Sequence, residues 1–176
     1  MPRNRTPKPT PDCREIYKLA EQYSEASRLL EKHAENDEQR WSAPRLLVDS
    51  FAVELYLKCL FVLDTNTAHP EVHDWKSLFD SLAPHTKTAI REAFERIVRA
   101  DVVLSHLDMI NPEALKVIDF NRSLIAAKDT FDKKRYIYES QPTGEWFYAH
   151  LLQEAIRAVT IMDIRLAGLS NSNGAT

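Results

Sequence analysis

Apolar residues recur along most of this chain at helical spacing, with polar positions filling the other side of each turn. Asp12 is placed to cap a helix from about Cys13 to Ala34, in which Ile16, Leu19, Ala20, Tyr23, Ala26, Leu29 and Leu30 form the apolar members and the outer face is charged. A turn through Asn36 and Asp37 then leads to Ser42, a cap for a second helix that has Pro44 in its first turn and runs to about Leu63. Its apolar residues, from Leu46 and Phe51 through Tyr56 and Leu60 to Leu63, surround most of the circumference. Such a helix lies centrally and needs neighbours on most sides.

The remaining pattern continues in helices. A polar link from Asp64 to Asp74 ends where Asp74 can cap a short helix with Trp75, Leu78, Phe79 and Leu82 as its stripe, stopped by Pro84. A longer helix is predicted from about Thr86 to Met109. A fifth restarts at Asn111 and Pro112, with a break near Asn121. Residues 131–139, FDKKRYIYE, read as a short helix or an extended segment, and a last helix covers about Gly144 to Leu166. With no β-rich region and no repeat, the pattern predicts an all-α fold, an antiparallel helical bundle of four or five main helices. Residues 12–167 form its single domain. Residues 1–11, with four prolines and only basic charges, read as a flexible arm, and residues 168–176 as a flexible tail behind the helix stop at Gly168.

Composition narrows the chemistry. The 176 residues contain three glycines, Gly144, Gly168 and Gly174, too few for a Walker loop or a dinucleotide fingerprint, which need glycine at fixed offsets. The net charge is −3. The arm holds Arg3, Arg5 and Lys8, so residues 12–176 carry 20 basic and 26 acidic side chains, which argues against a large basic nucleic-acid face but not against a local one. Cys13 and Cys59 make neither a disulfide framework nor a thiolate metal site, and a reducing, cytoplasmic setting is expected. No apolar run is long enough to cross a membrane, and no membrane partner is expected.

Four groups of side chains are candidates for function. Ser50, Glu54 and Lys58 recur every four residues on the otherwise apolar second helix; they form either a solvated stripe or the border of a cleft, with Lys58 as an anion contact. His69, His73 and Asp74 fall short of a complete zinc site, so no metal and no cofactor is expected; His73 instead can bond at the helix start and stay near the Glu54–Lys58 seam. Arg99 and His106, seven positions apart on one expected helix, can face one side, the arginine for a phosphate and the histidine for proton transfer in RNA cleavage; salt bridging or plain exposure is the alternative. Arg135, Tyr136, Tyr138 and Glu139 can grip a base and phosphate, or anchor the chain to the bundle. His150 and Glu154 read as a solvated pair.

The stretch SFAVELYLKCL (50–60), followed by HDWKSLFDSL (73–82) and RYIYE (135–139), resembles the HEPN superfamily, particularly all-helical bacterial proteins related to the C-terminal domain of kanamycin nucleotidyltransferase. The resemblance extends over roughly residues 40–165. It implies a HEPN-like bundle, a homodimer, and a place in a stress, defence or toxin–antitoxin system. Members act as RNases, or as nucleotide-binding or partner modules beside nucleotidyltransferases. Catalytic members carry an arginine and a histidine separated by four to six residues, with a polar residue after the arginine; here Arg99 and His106 match the spacing, but Ala100 stands in the polar position. The leading expectation is therefore a module that binds RNA, a nucleotide or a protein partner, such as a nucleotidyltransferase or an antitoxin, through Glu54, Lys58, His73, Arg135, Tyr136 and Glu139. The alternative is a metal-independent endoribonuclease using Arg99 and His106.

Overall fold

The computed structural model describes residues 9–34, 38–102, 104, 106, 118–126 and 146–168. Among them the helices are α1 (Cys13–Ala34), α2 (Glu38–Thr65), α3 (Trp75–Ser81), α4 (Pro84–Ala100), α5 (Phe120–Ala126) and α6 (Trp146–Leu166), and no strand occurs. Four long helices form the antiparallel bundle that the hydrophobic pattern predicts, with α3 and α5 as short cross-pieces.

Local chemistry sets most boundaries. Asp12 opens α1 by accepting the Arg14 N–H at 2.9 Å, and Asp74 opens α3 by accepting that of Ser77 at the same distance. Asn66, with φ of +52°, ends α2 and returns its N–H to Val62 O; Gly168, with φ of +65°, does the same for α6 by donating to Arg165 O. Ala83 is extended ahead of Pro84, and this proline occupies the first turn of α4, where its missing N–H costs nothing. Thus Pro84 begins a helix as well as ending the preceding one.

Two boundaries differ from the sequence reading. α2 begins at Glu38 rather than at Ser42, so Pro44 sits inside the helix and has no N–H to give Arg40. The four residues before Ser42 extend the helix despite that lost bond. The helix expected to run from Thr86 to Met109 breaks after Ala100: Asp101 turns extended, and its carboxylate accepts the N–H of Leu104 at 2.9 Å to open a new helical segment. Near the expected break at Asn121, Asp119 caps α5 through the Arg122 N–H at 2.8 Å. Most of the arm, residues 1–8, the segment 127–145, including Arg135, Tyr136, Tyr138 and Glu139, and the tail from 169 lie outside the described residues.

α1 and α2 form an antiparallel hairpin. Contacts between them fall at Cys13 with Cys59, Tyr17 with Tyr56, Tyr23 with Phe51 and Glu31 with Arg45, one number rising as the other falls. α2 is the central element: Ala52, Val53, Tyr56, Leu57, Cys59 and Leu60 are fully buried, and the helix also packs against α3 and α6. Burying a leucine or valine side chain stabilises by about 1.5–3 kcal/mol, so this helix alone anchors the core. α6 supplies Leu152, Ala155 and Ile156 from the other side and also meets α4 and α5. At the base, Phe120 of α5 lies against Phe79 and Phe94, with Arg91 over the rings of Phe79 and Phe120 at 5.3 and 5.2 Å.

Candidate functional site

The polar seam of α2 is buried. Ser50 is closed off by donating to Leu46 O at 2.8 Å, whereas Glu54 and Lys58, 6% and 7% exposed, pair directly at 2.6 Å. The solvated stripe is excluded by that burial. Two charges held between apolar neighbours need each other, because a lone charge there meets a desolvation cost of several kcal/mol. The same Glu54 oxygen that accepts from Lys58 also accepts from His73 Nδ1 at 3.0 Å. His73 comes from the link before α3, one residue ahead of the Asp74 cap, so the start of α3 positions its ring over the seam. Its side chain is 65% exposed. The group therefore reaches from the core to the surface: Lys58 inside, Glu54 between, His73 outside.

The other sequence candidates do not join this group. His69 Nδ1 donates to Pro70 O at 3.1 Å. Among the described residues no group of three His, Cys, Asp or Glu side chains is arranged to hold a metal ion. Cys59 is fully buried and donates weakly to Cys13 O; burial, and then the neighbouring Cys13, pushes its thiol up to about 12, which leaves it unreactive at neutral pH. Arg99 and His106 lie on either side of the break at Asp101, so the single continuous helix that would align them is absent. Arg99 reaches back to Glu95 at 3.2 Å, and His106 Nδ1 donates to Val102 O at 2.7 Å; both side chains are surface groups engaged within their own segment.

A second polar region was not foreseen from the sequence. Arg157 of α6 donates from Nε and Nη2 to the two oxygens of Glu21 on α1, at 3.0 and 2.8 Å, and Tyr56 of α2 donates its hydroxyl to the same carboxylate. Three helices are tied at one point. Burial works to raise the Glu21 carboxyl, but the Arg157 and Tyr56 hydrogen bonds outweigh it and hold the group below its ordinary range. Burial also pushes the Tyr56 hydroxyl up, as does its bond to Glu21, so it remains a donor at any physiological pH. One signal was available: Arg157 stands between Ala155, Ile156 and Ala158, Val159 much as Glu54 stands among the apolar residues of α2.

Beside this tie a cleft of about 470 Å³ opens between α1, α2 and α6, with Ile97 of α4 also in its lining. Gln153, 7% exposed, forms part of its floor and donates Nε2 to Asp49 Oδ1 at 3.0 Å. His150 and Glu154, paired at 3.1 Å, stand on its rim, so the pair read as a solvated face borders a cavity. Comparison of the chain with protein-family models, with curated proteins and with solved structures returns no match.

Proposed function

We propose that the chain is a HEPN-like binding module that uses the Glu54–Lys58–His73 group, with Arg135, Tyr136 and Glu139, to hold a nucleotide, an RNA segment or a protein partner, and that it works as a homodimer. One observation carries the reading: a buried carboxylate shared by a buried lysine and a surface histidine. A stabilising core does not require such a group, since well-packed apolar residues serve as well or better. A charge-bearing group retained at the centre of the bundle and opening to the surface supports recognition. Binding is preferred over RNA cleavage by Arg99 and His106, because the break at Asp101 separates those two side chains into different helical segments.

The test is recovery of the native complex with mass analysis of its protein, RNA and small-molecule cargo, repeated with His73→Ala and Lys58→Ala. His73 is mostly exposed, so its removal leaves the fold intact and is expected to lower cargo recovery at least about fivefold. Unchanged cargo in a folded His73→Ala and Arg135→Ala pair of variants overturns the reading. RNA cleavage abolished by His106→Ala would instead establish the nuclease.

A further inference from the structure

Each cation in the described lining of the cleft is matched by an acid. Arg157 is held by both oxygens of Glu21, and Arg28, Arg45 and His150 lie against Glu25, Glu31 and Glu154 at 2.9, 3.1 and 3.1 Å. Asp49 is the exception among these ionic side chains. Its one hydrogen bond among the described residues comes from the neutral amide of Gln153, and no described cation pairs with it. A neutral His150 would leave Glu154 unmatched as well, so the charge balance of the lining is negative in either form of that histidine. Anions are therefore disfavoured, and a cation meets one carboxylate that nothing else neutralises.

The uncharged groups around Asp49 add to this preference. Gln153 spends Nε2 on Asp49 Oδ1, which leaves Gln153 Oε1 and Asp49 Oδ2 as acceptors on either side of that bond. Ser27 of α1 is 6% exposed and lines the same cleft, and its hydroxyl makes no hydrogen bond among the described residues. The antiparallel register places it level with Asp49: Glu31 meets Arg45 at 3.1 Å, and Ser27 and Asp49 are each one turn further along their own helix. Among the described residues only Arg14 Nε is an enclosed side-chain polar atom without a partner, so the three free oxygens of Ser27, Asp49 and Gln153 keep accessible surface. An ammonium group has three N–H donors to give to such acceptors. Ile97 and Ile161 supply apolar wall for an alkyl chain, and the volume of about 470 Å³ lies within the range of roughly 300–1,000 Å³ typical of small-molecule sites.

We propose that this cleft binds a small primary alkylamine as its ammonium ion, with the charge on Asp49 and hydrogen bonds to the oxygens of Gln153 and Ser27. The site is separate from the Glu54–Lys58–His73 group. Asp49 and Glu54 are five positions apart on α2, about 140° around the helix, so the two regions lie on different faces. His73→Ala is expected to leave amine binding unchanged, which makes the failure of either proposal distinguishable from failure of the other.

Titration of the full chain with n-hexylammonium chloride, followed by NMR chemical shifts, tests the inference, with 1-hexanol and hexanoate as neutral and anionic probes of the same length. The ammonium is expected to bind about tenfold or more tightly than either and to shift the Gln153 side-chain amide, because only it makes a charge-assisted bond to Asp49. Asp49→Asn keeps an acceptor for Gln153 and removes the charge; ammonium affinity should fall about tenfold, to that of the alcohol, whose own binding stays the same. Ser27→Ala removes a hydroxyl that holds no other described group, so the fold is kept, and ammonium binding should weaken about threefold. Absence of ammonium binding, hexanol or hexanoate binding as tightly, or unchanged ammonium affinity in folded Asp49→Asn or in Ser27→Ala overturns the proposal. Should Asp49→Asn fail to fold, the comparison of the three probes on the unmodified chain and the Ser27→Ala titration decide the matter.

Discussion

Glu21 and Arg157, 136 positions apart in sequence, meet through two parallel hydrogen bonds of 3.0 and 2.8 Å and so tie the first helix to the last. The pair is part-buried, and a bidentate geometry loses less side-chain entropy per bond than a single contact does. Arg157→Ala is expected to cost about 2 kcal/mol in urea unfolding, since it removes two bonds to a charged acceptor. Arg157→Lys, which cannot reproduce the fork, is expected to recover less than half of that. A loss within experimental error for Arg157→Ala would mean that the tie contributes nothing to the fold.

The same carboxylate sets a pH dependence. Its folded value lies below the ordinary 4.5, so the stability it contributes is fully present above pH 4.5 and is lost as the pH falls through the lower folded value, where the unfolded chain has already taken up its proton. Asp163 behaves with the opposite sign: burial, then the nearby Asp64 carboxylate, raises it above 3.8, against a smaller opposing effect of His85. Its charge is a penalty at neutral pH that is relieved as the pH falls through the raised value. Glu21→Gln should flatten the loss of stability below pH 4.5, and Asp163→Asn should raise the melting temperature at pH 7 by about 2 °C. Melting curves from pH 3 to 7 check both, and a lowered melting temperature for Asp163→Asn contradicts the assignment.

For the buried pair on α2, one change and two changes should differ in sign. Lys58→Ala leaves the Glu54 carboxylate buried with only His73, and is expected to cost about 3 kcal/mol. Replacing both, as Glu54→Leu with Lys58→Met, removes the desolvation problem along with the pair and should come within about 1 kcal/mol of the parent or exceed it. If the double variant is as unstable as the single one, the pair is a structural necessity and the recognition reading loses its basis.

Leu60 has no exposure and lies in the main core, so Leu60→Ala should cost about 2–5 kcal/mol through lost burial and the cavity left behind. Leu29, half exposed on α1, should tolerate the same change with less than about 0.5 kcal/mol. Chemical denaturation of both variants measures the contrast.

The sequence made the helices legible wherever hydrophobic periodicity and a capping side chain coincided. Cys13–Ala34 and the Asp74-capped α3 follow from that agreement, and the continuous apolar surface of α2 identifies the central helix. Where the two signals conflicted, the reading failed. Ser42 and Pro44 form a good helix start, yet α2 begins four residues earlier; Asp101 sits within an unbroken periodic pattern, yet it caps a new segment. The Glu54–Lys58 seam was visible because polar residues interrupt an apolar surface. The Glu21–Arg157 tie and the Asp49–Gln153 contact were not, since they join residues 136 and 104 positions apart, and one sequence carries no record of which distant charges meet.

Those separations have a kinetic consequence. The α1–α2 hairpin joins neighbours in the chain and closes a short connection, whereas α6 must return across more than a hundred residues to reach Asp49 and Glu21. The hairpin is expected to be formed in the folding transition state, with a φ-value for Leu60 well above that for Ile156; the reverse order would contradict this. A chain still emerging from the ribosome would then own the parts of the cleft that α1, α2 and Ile97 supply and lack the wall that α6 supplies, so the cleft exists only once the last helix has been made.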